Sequence, residues 1–244
     1  MKSDVFVDEN HGETLLRLAN RRKNFEPIAY IVGEQDFYGR RFEVNPSVLI
    51  PRPETELLVE KAILAGKELI DSRSSLTIMD LGTGSGIIAI TLLKELESAT
   101  LIALDQSYSA IQTAKINALN HGVLDRLSFV ASDWFSAIAA KRSFDIILSN
   151  PPYVAENAKE NLQIELGFEP EQALFSGLDG TQDLRYIINN VGTYLSSGGL
   201  FMSEIGYDQK EFVLDAIGQT KLFSSCDVFD DYAGLPRIVH ARVK

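Results

Sequence analysis

Cysteine, histidine and basic residues are scarce in this chain, and each shortage removes a class of chemistry. Cys226 is the single cysteine of 244 residues, so an internal disulfide and a cysteine metal cluster are both excluded. It lies in the strand-like run Leu222 to Val228, where core packing is the expected role. His11, His121 and His240 show no metal-ligand spacing and read as structural or exposed. No stretch approaches the ~18 consecutive apolar residues of a membrane helix, and Met1 to Gly12 is too polar for a secretory signal. A cytoplasmic protein is expected. Lysines and arginines number 23 against 34 acidic residues, a formal net charge of −11 with a pI near 4.8. A duplex binder draws much of its affinity from clustered Lys and Arg against phosphates. Beyond Arg17 to Lys23 and Arg40-Arg41 no basic run exists, so the charge argues against a nucleic-acid substrate. An acidic surface suits a basic protein partner, or solubility alone.

What the chain does have is a hydrophobic content of 45%, enough for a substantial core. Glu13 to Arg22 carries Leu15, Leu16, Leu18 and Ala19 as a short amphipathic helix ending before Pro27. Phe37 to Val44 alternates around Gly39 as a small hairpin does. In Leu49-Ile50-Pro51-Arg52-Pro53-Glu54-Thr55-Glu56 two prolines hold Arg52 extended, and Glu54 or Thr55 begins a helix that runs to about Ile70. A polar link, Asp71 to Ser75, precedes regular βα alternation. Strands are expected at Leu76–Leu81, Thr100–Leu104, Leu127–Val130 and Phe144–Leu148, with helices at Ile87–Leu96 and Tyr108–Asn120, the latter burying Ile111, Ala114 and Leu119. Val154 to Gly180 is irregular. Then come a helix at Leu184–Tyr194, a strand at Leu200–Ile205, a helix at Gln209–Gly218, and strands near Leu222–Phe229 and Arg237–Val243. Only Asp230 to Pro236 joins the last two strands, too short for a crossover helix, so they pair antiparallel. The expected fold is α/β: a doubly wound, mostly parallel seven-stranded sheet with a C-terminal antiparallel hairpin. Residues 1–45 are expected to form a short helical segment and hairpin, and residues 46–244 the main domain.

Open α/β sheets bind ligands at the carboxyl ends of their strands, and four candidate groups fall there. Gly82-Thr83-Gly84-Ser85-Gly86 follows the first main strand; its glycines allow tight turning and close backbone approach, and the helix that starts there offers free N–H groups. Nicotinamide- and flavin-binding proteins have a similar loop, with the last glycine one residue further on. Asp105 ends the next strand, where a carboxylate accepts both hydroxyls of a ribose. Asp133-Trp134 follows the third, an acid for an adenine amino group beside an indole for its ring. Ser149-Asn150-Pro151-Pro152-Tyr153 follows the fourth. There the prolines stop the strand and the Asn150 carboxamide, one acceptor and two N–H donors, is left free for a planar N–H2 group.

This order of groups resembles the class I S-adenosylmethionine-dependent methyltransferases. Within them the chain resembles the HemK or PrmC family, which methylates a glutamine side-chain amide in peptide chain release factors. The likeness runs from about Leu15 to Val243, through Pro27 to Gly33, Phe37-Tyr38-Gly39, Asp80 to Gly86, Asn117-Ala118, Ser149 to Tyr153, Glu169-Pro170, Glu204-Ile205-Gly206, and Asp231 with Arg237. Leu49 to Glu56 is its most discriminating string. The resemblance implies that Gly82, Thr83, Gly84, Ser85 and Gly86 hold the methionine part of S-adenosylmethionine. Asp105 takes its ribose, Asp133 and Trp134 its adenine, and Asn150, Pro151, Pro152 and Tyr153 clamp the substrate amide. Phe37 walls the methyl pocket, and S-adenosylhomocysteine is the product. The implied partner is a class I release factor carrying a Gly-Gly-Gln loop. The family's several-helix N-terminal domain exceeds the segment before Pro27, which leaves the particular partner open.

In the implied chemistry, the Asn150 side-chain oxygen and the Pro151 carbonyl each accept one N–H of the glutamine amide. The lone pair, normally delocalised, is thereby turned towards the methyl group, and orientation does much of the work. Two other substrates fit the same clamp: a glutamine of a ribosomal protein, and an exocyclic base amine in DNA or RNA, which needs a phosphate track and a flipped-base pocket. A non-catalytic nucleotide-binding protein would keep the glycine loop and Asp105 but have no use for Asn-Pro-Pro-Tyr.

Overall fold

The computed structural model describes residues 9–71 and 73–244, so Ser72 of the polar link lies outside the described residues. The chain opens with α1 (Glu9–Lys23), a short α2 (Ile28–Val32) and the hairpin β1 (Glu34–Phe37) and β2 (Arg40–Glu43). The main alternation is α3 (Thr55–Ile70), β3 (Leu76–Leu81), α4 (Ile87–Glu95), β4 (Ala99–Asp105), α5 (Tyr108–Asn120), β5 (Leu127–Ala131) and β6 (Phe144–Ser149). Three short 3-10 turns occupy the irregular stretch. After them come α6 (Gln182–Val191), β7 (Leu195–Glu204), α7 (Lys210–Thr220), β8 (Phe223–Asp230) and β9 (Pro236–Val243).

Seven strands form one sheet in the order β5-β4-β3-β6-β7-β9-β8. The first five run parallel, while β9 pairs antiparallel with both β7 and β8. This matches the expected mixed sheet. Its central strands read as nearly continuous apolar runs because both faces are covered. Ile78, Ile146, Leu148 and Met202 face α3 and α4, and Met79, Ile147, Phe201 and Val239 face α6 and α7. The period-two alternation assigns each neighbour to the opposite layer. Strand order reverses around β3, so β3, β4 and β6 diverge at their carboxyl ends and open a crevice there.

The N-terminal hairpin turns through Tyr38 (φ 50°) and Gly39 (φ 68°), the two positive angles of a type I′ turn. Its Phe37 and Phe42 are buried beside α3 and α4, at roughly 1.5–3 kcal/mol each. Asn117 of α5 fastens it further: its Oδ1 accepts from the Glu43 N–H at 2.7 Å, and its Nδ2 donates to the Glu43 carbonyl at 3.0 Å and the Ser85 carbonyl at 2.8 Å.

Two expectations fail in detail. Leu15 and Leu16 of α1 are exposed, while Arg21 pairs with Glu26 and Arg22 with Glu165 at the helix's C-terminal end. In α5, Ile111 and Ala114 are buried but Leu119 faces solvent, with Asn117 and Ala118 in its place. A rotation of about 100° per residue carries position 119 roughly 140° from Ala114. Cys226 packs against the core as expected, half-buried under the α6–α7 layer on the outermost strand β8, and burial pushes its thiol up to about 11.

Candidate active site

One cleft at the carboxyl edge of the sheet gathers residues from four strand ends. It is lined by Gly82, Thr83, Gly84 and Ser85 after β3, Asp105 after β4, Ser132, Asp133 and Trp134 after β5, and Asn150 and Pro152 after β6, with Ser47 to Leu49, Arg52 and Thr55 from the segment that enters α3. Gly86, Pro151 and Tyr153 adjoin these lining residues in the chain.

Gly82, Gly84 and Gly86 all have positive φ, between 55° and 83°. A Cβ on Gly84 would meet nothing within 4 Å and would stand in the cleft, whereas one on Gly86 would press on Ile90 and Ala114 at 3.0–3.1 Å. Gly84 therefore leaves the cleft open, and Gly86 serves the seating of α4 against α5. Asp105 closes the loop from the side. Its Oδ2 accepts the Gly84 N–H at 2.9 Å and its Oδ1 the Ser107 N–H at 2.8 Å. Burial raises its pKa, opposed by those two N–H groups. A carboxylate has about four lone-pair sites; with two used inside the chain, two remain for a vicinal diol. Beneath the loop Asp80 is fully buried, accepting from the Thr83 hydroxyl at 2.7 Å. Burial pushes its carboxyl up to about 7, with the Thr83 bond opposing and the Asp105 charge assisting.

Trp134 adopts φ 45°, a costly angle for a side chain of its size. Its ring lies against the position a Gly82 Cβ would take, 3.6–3.7 Å away, and Nε1 donates to Asp183 at 3.0 Å. Asp183 is itself held by the Ser176 hydroxyl, which donates to Oδ2 at 2.7 Å. Asp133 is exposed at the rim. The glycine cradle, the two spare lone pairs of Asp105 and the fixed indole fit a nucleoside carrying a planar base.

On the opposite wall the expected free carboxamide is tied on one side. Asn150 Nδ2 donates to Thr55 Oγ1 at 3.1 Å, because α3 brings Thr55 over the end of β6. Thr55 Oγ1 donates onward to Glu204 Oε2 at 2.7 Å, and the Tyr153 hydroxyl donates to Glu204 Oε1 at 3.1 Å. Glu204 ends β7 and has no solvent exposure. Burial raises its pKa, against the two hydroxyl bonds and the nearby Arg237 charge. Tyr153 is raised as well, by burial and then by Glu204. So Tyr153 packs behind Asn150 with its hydroxyl on Glu204, and Phe37, expected beside the cleft, is core of the hairpin instead. Arg52 reaches Glu169, whose other oxygen accepts the Ile50 N–H at 3.0 Å. This pair ties the Pro-Arg-Pro segment to the irregular stretch after β6. Gln209 anchors that stretch at its far end, donating to the Gly180 carbonyl at 2.9 Å. Thr55, Glu204 and Asp183 were not among the expected site residues. Thr55 and Glu204 do fall within strings that carried the family resemblance, but nothing in their local sequence announces a contact across the sheet.

The family described as Methyltransferase small domain matches residues 57–177. The chain is 43% identical to the Release factor glutamine methyltransferase of Neisseria gonorrhoeae, over 91% of this chain and 78% of that protein. It is 38% identical to the Bifunctional methyltransferase of Rickettsia felis over 97% of its own length, and spans about half of that longer protein. A solved methyltransferase from Pyrococcus furiosus shares the fold at a TM-score of 0.60 and 18% identity, covering 97% of this chain and 99% of that one.

Proposed function

The chain belongs to the release factor glutamine methyltransferase family, and on that premise we propose that it moves a methyl group from S-adenosylmethionine to the side-chain amide nitrogen of the glutamine in the Gly-Gly-Gln loop of a class I peptide chain release factor. The observation that carries this reading is the single cleft in which a nucleoside-binding wall faces the carboxamide of Asn150. When bound, S-adenosylmethionine supplies an electrophilic methyl on a positively charged sulfur. Gly82 to Ser85 cradle its amino-acid part, with Gly86 seating the helix behind; Asp105 accepts the ribose hydroxyls, and Trp134 with Asp133 borders the adenine. Asn150 Oδ1, which has no partner among the described residues, accepts one N–H of the glutamine amide, and the Pro151 carbonyl accepts the other. Pro152 and Tyr153 fix that corner. Holding both N–H groups fixes the amide plane so that the nitrogen lone pair, perpendicular to it, faces the methyl, a gain of the kind that orientation supplies. Transfer would break the S–CH3 bond to leave S-adenosylhomocysteine, and the methylated nitrogen, now acidic, would give up one N–H proton to solvent.

A substrate that works in translation termination sets the reaction in the cytoplasm. Among the described residues no helix is long and apolar enough to cross a membrane. We take residues 1–45 as a small appendage to the catalytic unit of residues 46–244. The test is incubation with methyl-labelled S-adenosylmethionine and three acceptors: a purified class I release factor, the same factor with the loop glutamine changed to alanine, and total nucleic acid. Label on the intact loop alone, mapped to that glutamine by peptide mass, is expected. Label on the alanine factor or on nucleic acid overturns the substrate assignment.

A further inference from the structure

Asn150 offers the cleft either an acceptor or a donor, depending on which way its carboxamide is turned, and only the acceptor grips an N–H of an amide nitrogen. The two orientations differ by half a turn about one bond and occupy nearly the same volume, so packing alone does not choose between them. Hydrogen bonding does. The Thr55 and Tyr153 hydroxyls and the Arg237 charge favour the ionised form of Glu204 against the burial that raises its pKa, and as a carboxylate it only accepts. Its Oε2 takes the one hydroxyl proton of Thr55 at 2.7 Å, which leaves Thr55 Oγ1 facing Asn150 with lone pairs only. The atom of Asn150 that meets Oγ1 at 3.1 Å must then be the N–H2 nitrogen, and Oδ1 is turned to the cleft. The Tyr153 hydroxyl fills the second oxygen of Glu204, so the carboxylate has a donor on each side. Thr55 and Glu204 are buried, at 1% and 0% exposure, so water does not compete for these bonds.

We infer that Thr55 and Glu204 are positioning residues that set the polarity of the Asn150 carboxamide, so that the cleft presents an acceptor to the N–H2 group of the substrate. The inference rests on the proposed methyl transfer for its purpose and on the hydrogen-bond chain for its content. Three residues drawn from α3, the end of β6 and the end of β7 act as one unit. Thr55 acts on the reaction only through Asn150.

A double-mutant cycle tests this, because a residue acting only through another adds nothing once that other is gone. Thr55→Val keeps the shape and removes the hydroxyl. It is expected to lower kcat by roughly 10- to 100-fold, as for one misplaced buried hydrogen bond, with cofactor Kd little changed. Thr55→Ser restores most of the rate. In an Asn150→Ala background, Thr55→Val causes no further loss. Full additivity of the two losses, or failure of serine to rescue, overturns the inference. A second measurement needs no change at Thr55. One of the two side-chain N–H signals of Asn150 is assigned by its disappearance in Asn150→Asp, and it exchanges with solvent more slowly than a free amide. If both protons exchange at the free rate, the inference falls whether or not Thr55→Val folds. Should the wild-type protein label no release factor, the substrate assignment fails, while the exchange measurement still decides the orientation.

Discussion

On the wall formed by the ends of β3 and β4 the cleft-facing groups are largely backbone atoms set by glycine conformation, whereas on the wall formed by the end of β6 the Asn150 carboxamide is a side-chain group set by a buried hydrogen-bond chain. The first wall is local: residues 82 to 86 and 105 to 107 shape one another, and the Asp105 carboxylate that braces them is also the group proposed to take the ribose. The second is assembled from positions 55, 150, 153 and 204, brought together by the sheet. A binding surface that must fit a constant ligand is well served by backbone, which no single rotamer change can spoil. A surface that must hold a reacting amide in one orientation needs directional side chains, and these need partners to stop them turning.

The comparison is broken most strongly at Asp105. Asp105→Ala removes two charge-assisted hydrogen bonds to ribose at ~1.5–3 kcal/mol each, so cofactor affinity falls roughly 10²–10⁴-fold in calorimetry. Near-native affinity would remove Asp105 from the site. Asn150→Ala strikes the other wall: turnover falls by at least about 10² while cofactor affinity changes little, because the lost contact orients the acceptor. An equal loss in Kd would show that the two walls are not separate.

Asp80 sharpens the comparison through pH. Its folded pKa is raised to about 7 from 3.8, so between those values the folded chain holds a proton that the unfolded chain has released. The stability it contributes is full below the unfolded value and is lost as pH rises, by about 1.4 kcal/mol per pH unit, levelling off above about 7. In urea titrations at pH 5.5, 6.5 and 8, Asp80→Asn should lack this decline; parallel curves for the two proteins would refute the assignment. The smallest effect is expected outside both walls. Lys159 pairs with Glu171 in solvent, both more than half exposed, and Lys159→Ala should shift stability and turnover by no more than about 0.5 kcal/mol.

The same division explains what could be read in advance. The strand–glycine–helix signal, the acid at the end of β4 and the short link between β8 and β9 are local patterns with local causes, and the sheet followed from them. Asn150 was also legible, since two prolines mark the end of its strand. Its partners were not, because Thr55 reads as an ordinary helix start and Glu204 as the last residue of a strand. Only the pairing of β6 with β7, and the packing of α3 across them, makes the two neighbours. Phe37 shows the opposite error: likeness to a family suggested a place in the cleft, and the hydrophobic alternation of its own hairpin buried it. Leu15 and Leu16 follow no such rule. Their spacing is amphipathic, but no apolar surface of the described residues covers them.

Trp134 is the single tryptophan of the chain, and its indole borders the cleft while its N–H is fixed on Asp183. The molecule thus carries one indole fluorophore, excitable at wavelengths its eight tyrosines do not absorb, beside the position proposed for an adenine ring. Its emission reports occupancy of that position without an added label and without background from other indoles. A nucleoside that enters the cleft quenches or shifts that emission, and one that binds elsewhere leaves it unchanged.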